Sequence, residues 1–197
     1  FSMLQRGLEQ EGFPALEGKR FGKEGTMAAK IISGAEVAKQ IREELAREVA
    51  RLTGLPALAD DSGLEVTALN GRPGVWSARY ALDKTGGRAP TDEENWHKLL
   101  EEMAQVPWER RQARFVCVMA LAWPDGRLFT TEGELRGLIA LAPRGDQGFG
   151  YDPVFWLPEY QKTVAELSLA EKNRISHRGE AIRRLKVFLS QSGLAEN

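Results

Sequence analysis

Apolar residues recur along this chain with two different periods, and these periods predict helices in some segments and strands in others. Between residues 35 and 52 they return every three or four positions, which predicts an amphipathic helix. Its buried face would consist of Ala38, Ile41, Leu45, Val49 and Leu52. Residues 113–123 form a continuous apolar run, as expected of a central strand covered on both faces. Shorter strands are predicted at residues 28–33, 55–59 and 128–131, so the pattern predicts an α/β protein with a mixed β-sheet flanked by helices.

Capping residues mark three helix starts. Thr91 and Glu94 form one capping box, and Ser168 and Glu171 form a second. In such a box each side chain accepts a hydrogen bond from an N–H group that the first helical turn leaves free. Ser176 is predicted to cap the last helix in the same way. Helices are therefore expected to start directly after Thr91, Ser168 and Ser176.

Composition narrows the class of protein. A chain of 197 residues with 42% hydrophobic content suffices for one domain or a compact two-lobed one. Its 27 basic and 28 acidic residues leave a net charge of −1, so no global field draws it to nucleic acid or membranes. No signal-peptide pattern opens the chain, and no apolar run approaches the ~20 residues of a membrane span.

Cysteine and histidine are scarce. The single cysteine, Cys117, excludes an intramolecular disulfide, which favours a reducing, cytoplasmic location. Two histidines and one cysteine do not suffice for a closed zinc site of the usual kind. A bound metal would therefore be a hard cation held by carboxylates.

The first part of the chain differs in character from the remainder. Residues 1–26 contain five glycines and no sustained period, so we expect a poorly ordered segment or one not native to the domain. Residues 27–52 are predicted to form a strand followed by the amphipathic helix. Residues 53–197 are expected to form the main domain.

A glycine-rich loop and the segment after it, between residues 144 and 178, carry candidate binding chemistry. The loop combines glycines, aromatic residues and an acidic corner, and a cationic helix start follows. Glycines let the backbone approach a ligand closely, aromatic faces stack on bases, and cations hold phosphates. The segment is thus either a nucleotide pocket or a loop over the core followed by a solvated basic helix.

Two adjacent carboxylates, Asp60 and Asp61, follow the apolar strand at residues 55–59. Carboxylates at the end of a buried strand are costly to desolvate without a cation or hydrogen-bond donors. Neighbouring strand residues point to opposite faces, so one carboxylate would face the pocket and the other would support it. Mg²⁺ is the natural partner, because it bridges carboxylate to phosphate. A simple Asp-Asp-Ser-Gly turn is the alternative.

Three long segments resemble one family. They are TGLPALADDSGLEV at 53–66, PRGDQGFGYDPVF at 143–155 and AELSLAEKNRISHRG at 165–179. These segments resemble the noncanonical purine nucleoside triphosphate pyrophosphatases, the inosine/xanthosine triphosphate pyrophosphatase or Ham1-like family, over residues 53–189. The resemblance implies a two-lobed fold and a homodimer. It also implies Mg²⁺-dependent hydrolysis of ITP, dITP and XTP to the monophosphate and pyrophosphate.

The resemblance also implies roles for individual residues. Asp61 would bind the metal and act as the catalytic base, with Asp60 in support. Substrate-binding roles would fall to Ser62, Phe149, Gly150, Tyr151, Asp152, Lys172, His177 and Arg178. Of these, the last three would contact the base, whose 6-oxo group accepts hydrogen bonds.

Residues 27–52 depart from that family. They are similar to the N-terminus of methylenetetrahydrofolate dehydrogenase/cyclohydrolase enzymes, which suggests a replaced N-terminal element. Gln40 stands where the pyrophosphatase family has a metal-binding glutamate, and Leu45 stands where it has a lysine. Glu43 or Glu44 is a candidate substitute ligand. The alternative function is therefore a catalytically impaired nucleotide-binding or dimerising protein of the same fold. Folate dehydrogenase chemistry is not expected, because no G-x-G-x-x-G motif follows a strand.

Overall fold

The computed structural model describes the backbone of residues 34–192 and the side chains of residues 42–192. The predicted segment 1–26 and the predicted strand at 28–33 lie outside the described residues. So do the side chains of Ala38, Gln40 and Ile41.

One six-stranded sheet organises the described part of the chain. Its strands are β1 Ala57–Val66, β2 Pro73–Gly74, β3 Gln112–Ala122, β4 Leu128–Ile139, β5 Phe155–Leu157 and β6 Lys162–Thr163. They lie in the order β2-β1-β3-β4-β5-β6, and within residues 34–192 every neighbouring pair is antiparallel. The predicted mixed sheet is thus antiparallel throughout this part. For β3 and β4 the reason is the turn that joins them, which is too short for the crossover that parallel pairing requires.

Four helices accompany the sheet, as an α/β fold with flanking helices predicts. They are α1 Gly34–Thr53, α2 Asp92–Glu102, α3 Leu169–Ile175 and α4 His177–Ser192. Both predicted capping boxes are present, at the starts of α2 and α3. The Ser176 hydroxyl accepts a hydrogen bond from the Gly179 N–H at 3.0 Å, so it caps α4 as predicted.

Helices α1 and α4 pack on opposite faces of the sheet. Two alanines of α1, Ala46 and Ala50, are buried against Ala120 and Ala122 of β3. On the other face, Ala181 of α4 is buried against Cys117 and Met119, which alternate along the same strand. Because strand side chains alternate between faces, consecutive residues of the neighbouring strand β1 also face different helices.

The buried face of α1 differs from the prediction. Leu45, Val49 and Leu52 are 56%, 41% and 68% exposed, whereas Ala46 and Ala50 are at most 1% exposed. The alanines also recur at a spacing of four, and their small side chains let the helix lie close to the alanines of β3. The close packing of α1 on β3 therefore buries the alanines and leaves the larger apolar residues exposed.

The main hydrophobic core lies at the other end of the sheet. It contains Leu64, Val66, Leu99, Met103, Phe115, Ile139, Val154, Phe155 and Leu167, among others. This core holds α2, the loop before β5 and the segment before α3 against the sheet. No helix of the described residues is long and apolar enough to cross a membrane.

Candidate functional site

All the site residues named from the sequence line one cleft of about 930 Å³. Its walls come from residues 60–64 of β1, residues 147–152 of the glycine-rich loop, and α3 with the start of α4. These segments are distant along the chain. The fold therefore brings together the carboxylate pair, the aromatic loop and the cationic residues as one concave surface.

The pleat of β1 separates the two carboxylates. Asp60 pairs across the sheet with Met119 and therefore shares the face that α4 covers. There its Oδ2 accepts a hydrogen bond from the Arg178 Nε–H at 3.1 Å. Asp61 pairs with Val118 and points to the opposite face, on the α1 side. The alternation predicted from the sequence is present, and each carboxylate has its own cationic neighbour.

Asp61 lies between α1 and the cleft. Its Oδ2 accepts a hydrogen bond from the guanidinium of Arg42, a residue of α1. Its Oδ1 accepts one from the Ser62 backbone N–H at 3.0 Å. The Ser62 hydroxyl is itself buried and has no hydrogen-bond partner among the described residues. This end of the cleft thus has the Asp61 carboxylate on one face of β1 and the buried Ser62 hydroxyl on the other, near Cys117.

A close backbone approach fixes the strand beyond the carboxylates. A Cβ on Gly63 would lie 2.7 Å from the Gly74 carbonyl oxygen, so only glycine fits between β1 and β2. The Ser77 hydroxyl donates to that same carbonyl at 2.6 Å and accepts from the Leu64 N–H at 2.8 Å. The carboxylate end of the cleft is therefore fixed by the close approach of β1 to β2 and by the Ser77 hydroxyl.

A buried ion pair organises the glycine-rich loop. Asp152 is 4% exposed, and its Oδ2 accepts hydrogen bonds from the Lys172 ammonium and from the Phe149 N–H. Burial raises the pKa of the Asp152 carboxyl, an effect that the Lys172 ammonium and the Phe149 N–H partly oppose. The pair joins the loop to α3 and fixes where Phe149 stands.

Two further contacts join the loop to the rest of the site. The Tyr151 hydroxyl donates to the Ser77 carbonyl at 2.8 Å, and burial raises the pKa of that hydroxyl. The Gly150 N–H donates to Asp92 Oδ2, at the start of α2, at 2.6 Å. The glycine-rich loop is therefore bound on three sides, to α2, α3 and the segment after β2.

Phe149 forms an exposed aromatic face flanked by cations. Its side chain is 59% exposed. The Lys172 Nζ lies 4.3 Å and the Arg178 Cζ 5.9 Å from its ring centroid. An exposed ring beside two cations suits a planar ligand that carries hydrogen-bond acceptors.

His177 forms part of the floor beside this ring. Its imidazole stacks on Phe115, with ring centroids 5.0 Å apart and planes 20° apart. Burial, together with the nearby Arg178 and Lys172 cations, lowers the pKa of His177 to about 4. The imidazole is therefore neutral at pH 7, with one donor and one acceptor nitrogen. Its Nδ1 is buried and has no hydrogen-bond partner among the described residues.

Gly148 occupies a position that only glycine fits. Its φ is +90°, and a Cβ would lie 2.1 Å from Asp152 Oδ2 and 3.0 Å from the Lys172 Nζ. Gly126 has nearly the same φ, +91°, but a Cβ there meets nothing within 4 Å. The two glycines thus share the backbone requirement and differ only in what surrounds them.

We expect Gly148→Ala to destabilise the protein more than Gly126→Ala does. Both changes force an alanine into the left-handed region, at about 1–2 kcal/mol. Gly148→Ala should lose about 1–3 kcal/mol more, because the new methyl group overlaps the buried Asp152 carboxylate. Urea unfolding of both variants measures the difference. Equal losses in the two variants would show that the ion pair adapts without cost.

The described residues do not by themselves form a metal site. No group of three His, Cys, Asp or Glu residues that could hold a metal ion occurs among them. Glu43 and Glu44, the candidate substitutes for the missing glutamate, do not line the cleft. The residue of α1 that does reach Asp61 is Arg42, a cation rather than a ligand. The donor set available here therefore does not fit a carboxylate-held ion.

Sequence reasoning misses two residues of this site. The sequence identifies Asp92 only as part of a helix start, and nothing in it links Asp92 to Gly150, 58 positions away. Arg42 lies in a predicted helix, where an arginine is most simply a solvated residue. The position of Asp61 on the α1 face, which follows from its register with β3, is the structural fact that gives Arg42 a role.

A model of the Ham1 family matches residues 12–188. The match begins upstream of residue 53, where the resemblance of the sequence motifs starts, and so includes residues 27–52. It gives no support to the second resemblance, that of residues 27–52 to methylenetetrahydrofolate dehydrogenase/cyclohydrolase.

The chain is similar to curated dITP/XTP pyrophosphatases. It is 59% identical to the one from Thermus thermophilus over 137 residues, which cover 70% of this chain and 63% of the relative. It is 52% identical to the one from Geobacter sulfurreducens over 145 residues, covering 74% and 70%. The matched part thus spans less than two thirds of the length of the Thermus relative.

Solved structures show the same fold. A HAM1 protein from Coxiella burnetii superposes with a TM-score of 0.69 and 46% identity, covering 76% of this chain and 75% of that one. A nucleoside-triphosphatase / dITP/XTP pyrophosphatase from Mycobacterium abscessus has a TM-score of 0.64 and 37% identity, covering 93% and 89%. These matches agree with the α/β fold and flanking helices described above.

Proposed function

This chain belongs to the Ham1 family, and we propose that it hydrolyses noncanonical purine nucleoside triphosphates, namely ITP, dITP and XTP. The products would be the nucleoside monophosphate and pyrophosphate. The observation that carries the proposal is the cleft, which places an aromatic face with cations at one end and Asp61 at the other. Its volume of about 930 Å³ lies within the range of small-molecule sites.

The base would lie against Phe149. Hypoxanthine and xanthine carry a 6-oxo group that accepts hydrogen bonds, and Lys172, His177 and Arg178 offer donors beside the ring. Adenine has an amino group at position 6. This group is itself a donor, so the donors of the site would have no acceptor there. A site built to donate rejects such a base strongly, because its own buried groups are left unpaired. Gly150, Tyr151 and Asp152 would hold the loop that forms this end.

The triphosphate would extend toward β1. Water would attack the α-phosphate there, the bond between the α-phosphate and the bridging oxygen would break, and pyrophosphate would leave. Asp61 would accept the proton of the attacking water. Ser62, the next residue of β1, would contact the substrate. Arg178, whose Nε contacts Asp60 of the same strand, adds positive charge beside the phosphates.

Mg²⁺ is the divalent ion that the sequence resemblance implies for this reaction, with Asp61 as a ligand. Bound Mg²⁺ would neutralise charge that develops on the phosphates. Since the described residues do not by themselves fit the ion, no step of the proposed reaction depends on it. A homodimer and a cytoplasmic location are proposed on the resemblance and the cysteine content alone.

A second function has a specific observation in its favour. Arg42 already occupies the side of Asp61 that faces α1. The chain would then be a nucleotide-binding or dimerising protein of the same fold that turns over slowly or not at all. Residues 27–52 would in that case act as a replaced N-terminal element that keeps the fold and alters the phosphate end.

Pyrophosphate release distinguishes the two functions. The assay uses ITP, XTP, dITP, ATP and GTP, each with and without Mg²⁺. Release from ITP, dITP and XTP at rates well above that for ATP, whose base lacks the 6-oxo group, supports the hydrolase. GTP, which also has a 6-oxo group, tests the effect of its 2-amino group. If no substrate yields pyrophosphate while ITP still raises the melting temperature, the binding protein is the better description.

A further inference from the structure

The pairing of Arg42 with Asp61 is unusual in its burial. The Arg42 side chain is 12% exposed, and that of Asp61 is 46% exposed. The cation is thus the more deeply buried partner, and the carboxylate is the one that reaches the cleft. Arg42 Nε is buried and has no hydrogen-bond partner among the described residues. Asp61 is therefore the main anionic contact of the Arg42 guanidinium.

Both oxygens of Asp61 already accept a hydrogen bond. Oδ2 accepts from Arg42, and Oδ1 accepts from the Ser62 N–H. A divalent ion at this carboxylate would have to approach a guanidinium in direct contact with the same oxygen, or displace it. A guanidinium remains charged at every pH of interest, so deprotonation cannot relieve the repulsion. Moving it leaves a buried cation without its partner, which is costly.

The neighbouring arginines do not occupy the same position. Arg178 contacts Asp60 on the opposite face of the sheet, and both side chains of that pair are about 40% exposed, at 39% and 44%. Arg47, one turn further along α1, donates to the Gly126 carbonyl at 2.9 Å and is exposed. Only Arg42, among the described arginines, forms an ion pair with Asp61.

We propose that Arg42 is a resident cation that competes with divalent metal ions for Asp61. The chain would consequently bind Mg²⁺ and Mn²⁺ weakly, and Arg42 would set that affinity. The inference rests on the proposed function only in taking Asp61 as the carboxylate that a metal would meet. The Arg42 guanidinium, already in contact with Asp61, explains why the described residues suit a metal ion poorly.

Mn²⁺ binding tests this directly, by paramagnetic titration of the nucleotide-free full chain. We expect Arg42→Gln to bind Mn²⁺ at least about tenfold more tightly than the parent chain, a change of about 1.4 kcal/mol. Arg42→Lys keeps the charge and should stay near the parent value. Arg47→Gln removes an arginine from the same helix without touching Asp61 and should also stay there. The double variant Arg42→Gln/Asp61→Asn should lose the gain.

Two outcomes overturn the proposal. One is an Arg42→Gln variant that folds, by far-ultraviolet circular dichroism, and binds Mn²⁺ no more tightly than the parent. The other is a gain that survives in the double variant, since the metal would then lie elsewhere. If Arg42→Gln does not fold, Arg42→Met keeps the buried aliphatic stem and is expected to show the same gain. Because no nucleotide is present, failure of pyrophosphate release would not affect the result.

Discussion

Asp61→Asn is expected to lower kcat for pyrophosphate release from ITP by about 10²–10⁴-fold, the range that a positioned general base contributes. Asparagine keeps the shape of the side chain and can still accept a hydrogen bond from Arg42 or the Ser62 N–H. It cannot take a proton from water at neutral pH. Since the lost interaction acts in the transition state, kcat and kcat/KM should fall together.

Steady-state kinetics with ITP measure this effect, and two further variants serve as comparisons. Asp125→Asn makes the same chemical change in an exposed turn that contacts only Arg127, so it should leave the rate unchanged. Asp60→Asn alters the neighbouring carboxylate on the opposite face, and a smaller loss than that of Asp61→Asn is expected. A rate for Asp61→Asn within tenfold of the parent, in a folded variant, would remove Asp61 from the chemistry.

The elements of this fold with a strong local signal could be predicted from the sequence. The capping boxes at Thr91 and Ser168 depend on residues three positions apart, and both are present. The apolar run at 113–123 corresponds to β3 at Gln112–Ala122, which is buried on one face and mostly half-buried on the other. Local chemistry alone is enough to fix features of this kind.

The face by which α1 packs could not be predicted in the same way. Its sequence contains two stripes at helical spacing, one of larger apolar residues and one of alanines. Which stripe is buried depends on the partner surface, and that surface consists of Ala120 and Ala122 on another strand. Periodicity alone favours the more hydrophobic stripe. In the folded protein the alanine stripe is buried, because it lets α1 pack close to β3.

In the candidate site, too, some features depend on local sequence and others on contacts between distant segments. Residues within one motif, such as Asp152 and Lys172, could be proposed together because the segment from 144 to 178 carries them both. Contacts between distant segments, such as Gly150 with Asp92 or Asp61 with Arg42, depend on sheet register. A one-residue shift of β1 against β3 would exchange the faces of Asp60 and Asp61. The role of each carboxylate therefore requires the folded structure.

Arg111 is a further residue whose role appears only in the folded structure. It is 2% exposed, and among the described residues it has no carboxylate partner. Its guanidinium instead donates to four carbonyl oxygens. They belong to Met103 at 2.7 Å, Val106 at 3.1 Å, Ile139 at 2.7 Å and Ala140 at 3.0 Å. The side chain thereby joins the end of α2 to the end of β4, and burial lowers its pKa.

Arg111→Met is expected to lower the free energy of unfolding by about 3–5 kcal/mol. Methionine fills a similar volume and removes the cost of burying a charge, which on its own would stabilise the protein. However, each hydrogen bond from a charged donor contributes about 1.5–3 kcal/mol, and four such bonds outweigh that gain. Their carbonyl acceptors would also be left unpaired inside the core. Urea unfolding measures the loss, and the melting temperature should fall by roughly 10 °C.

Arg136→Met supplies the matched control. Arg136 is 77% exposed on β4, and its Nε donates to Glu134 Oε1 at 2.7 Å. An exposed ion pair of this kind contributes at most about 1 kcal/mol, so the same substitution there should change stability little. If Arg111→Met lost no more than Arg136→Met, the four hydrogen bonds would contribute nothing beyond the cost of desolvating the guanidinium. A large difference between the two would instead show that a lone buried arginine, without any carboxylate, stabilises the junction of helix and sheet behind the cleft.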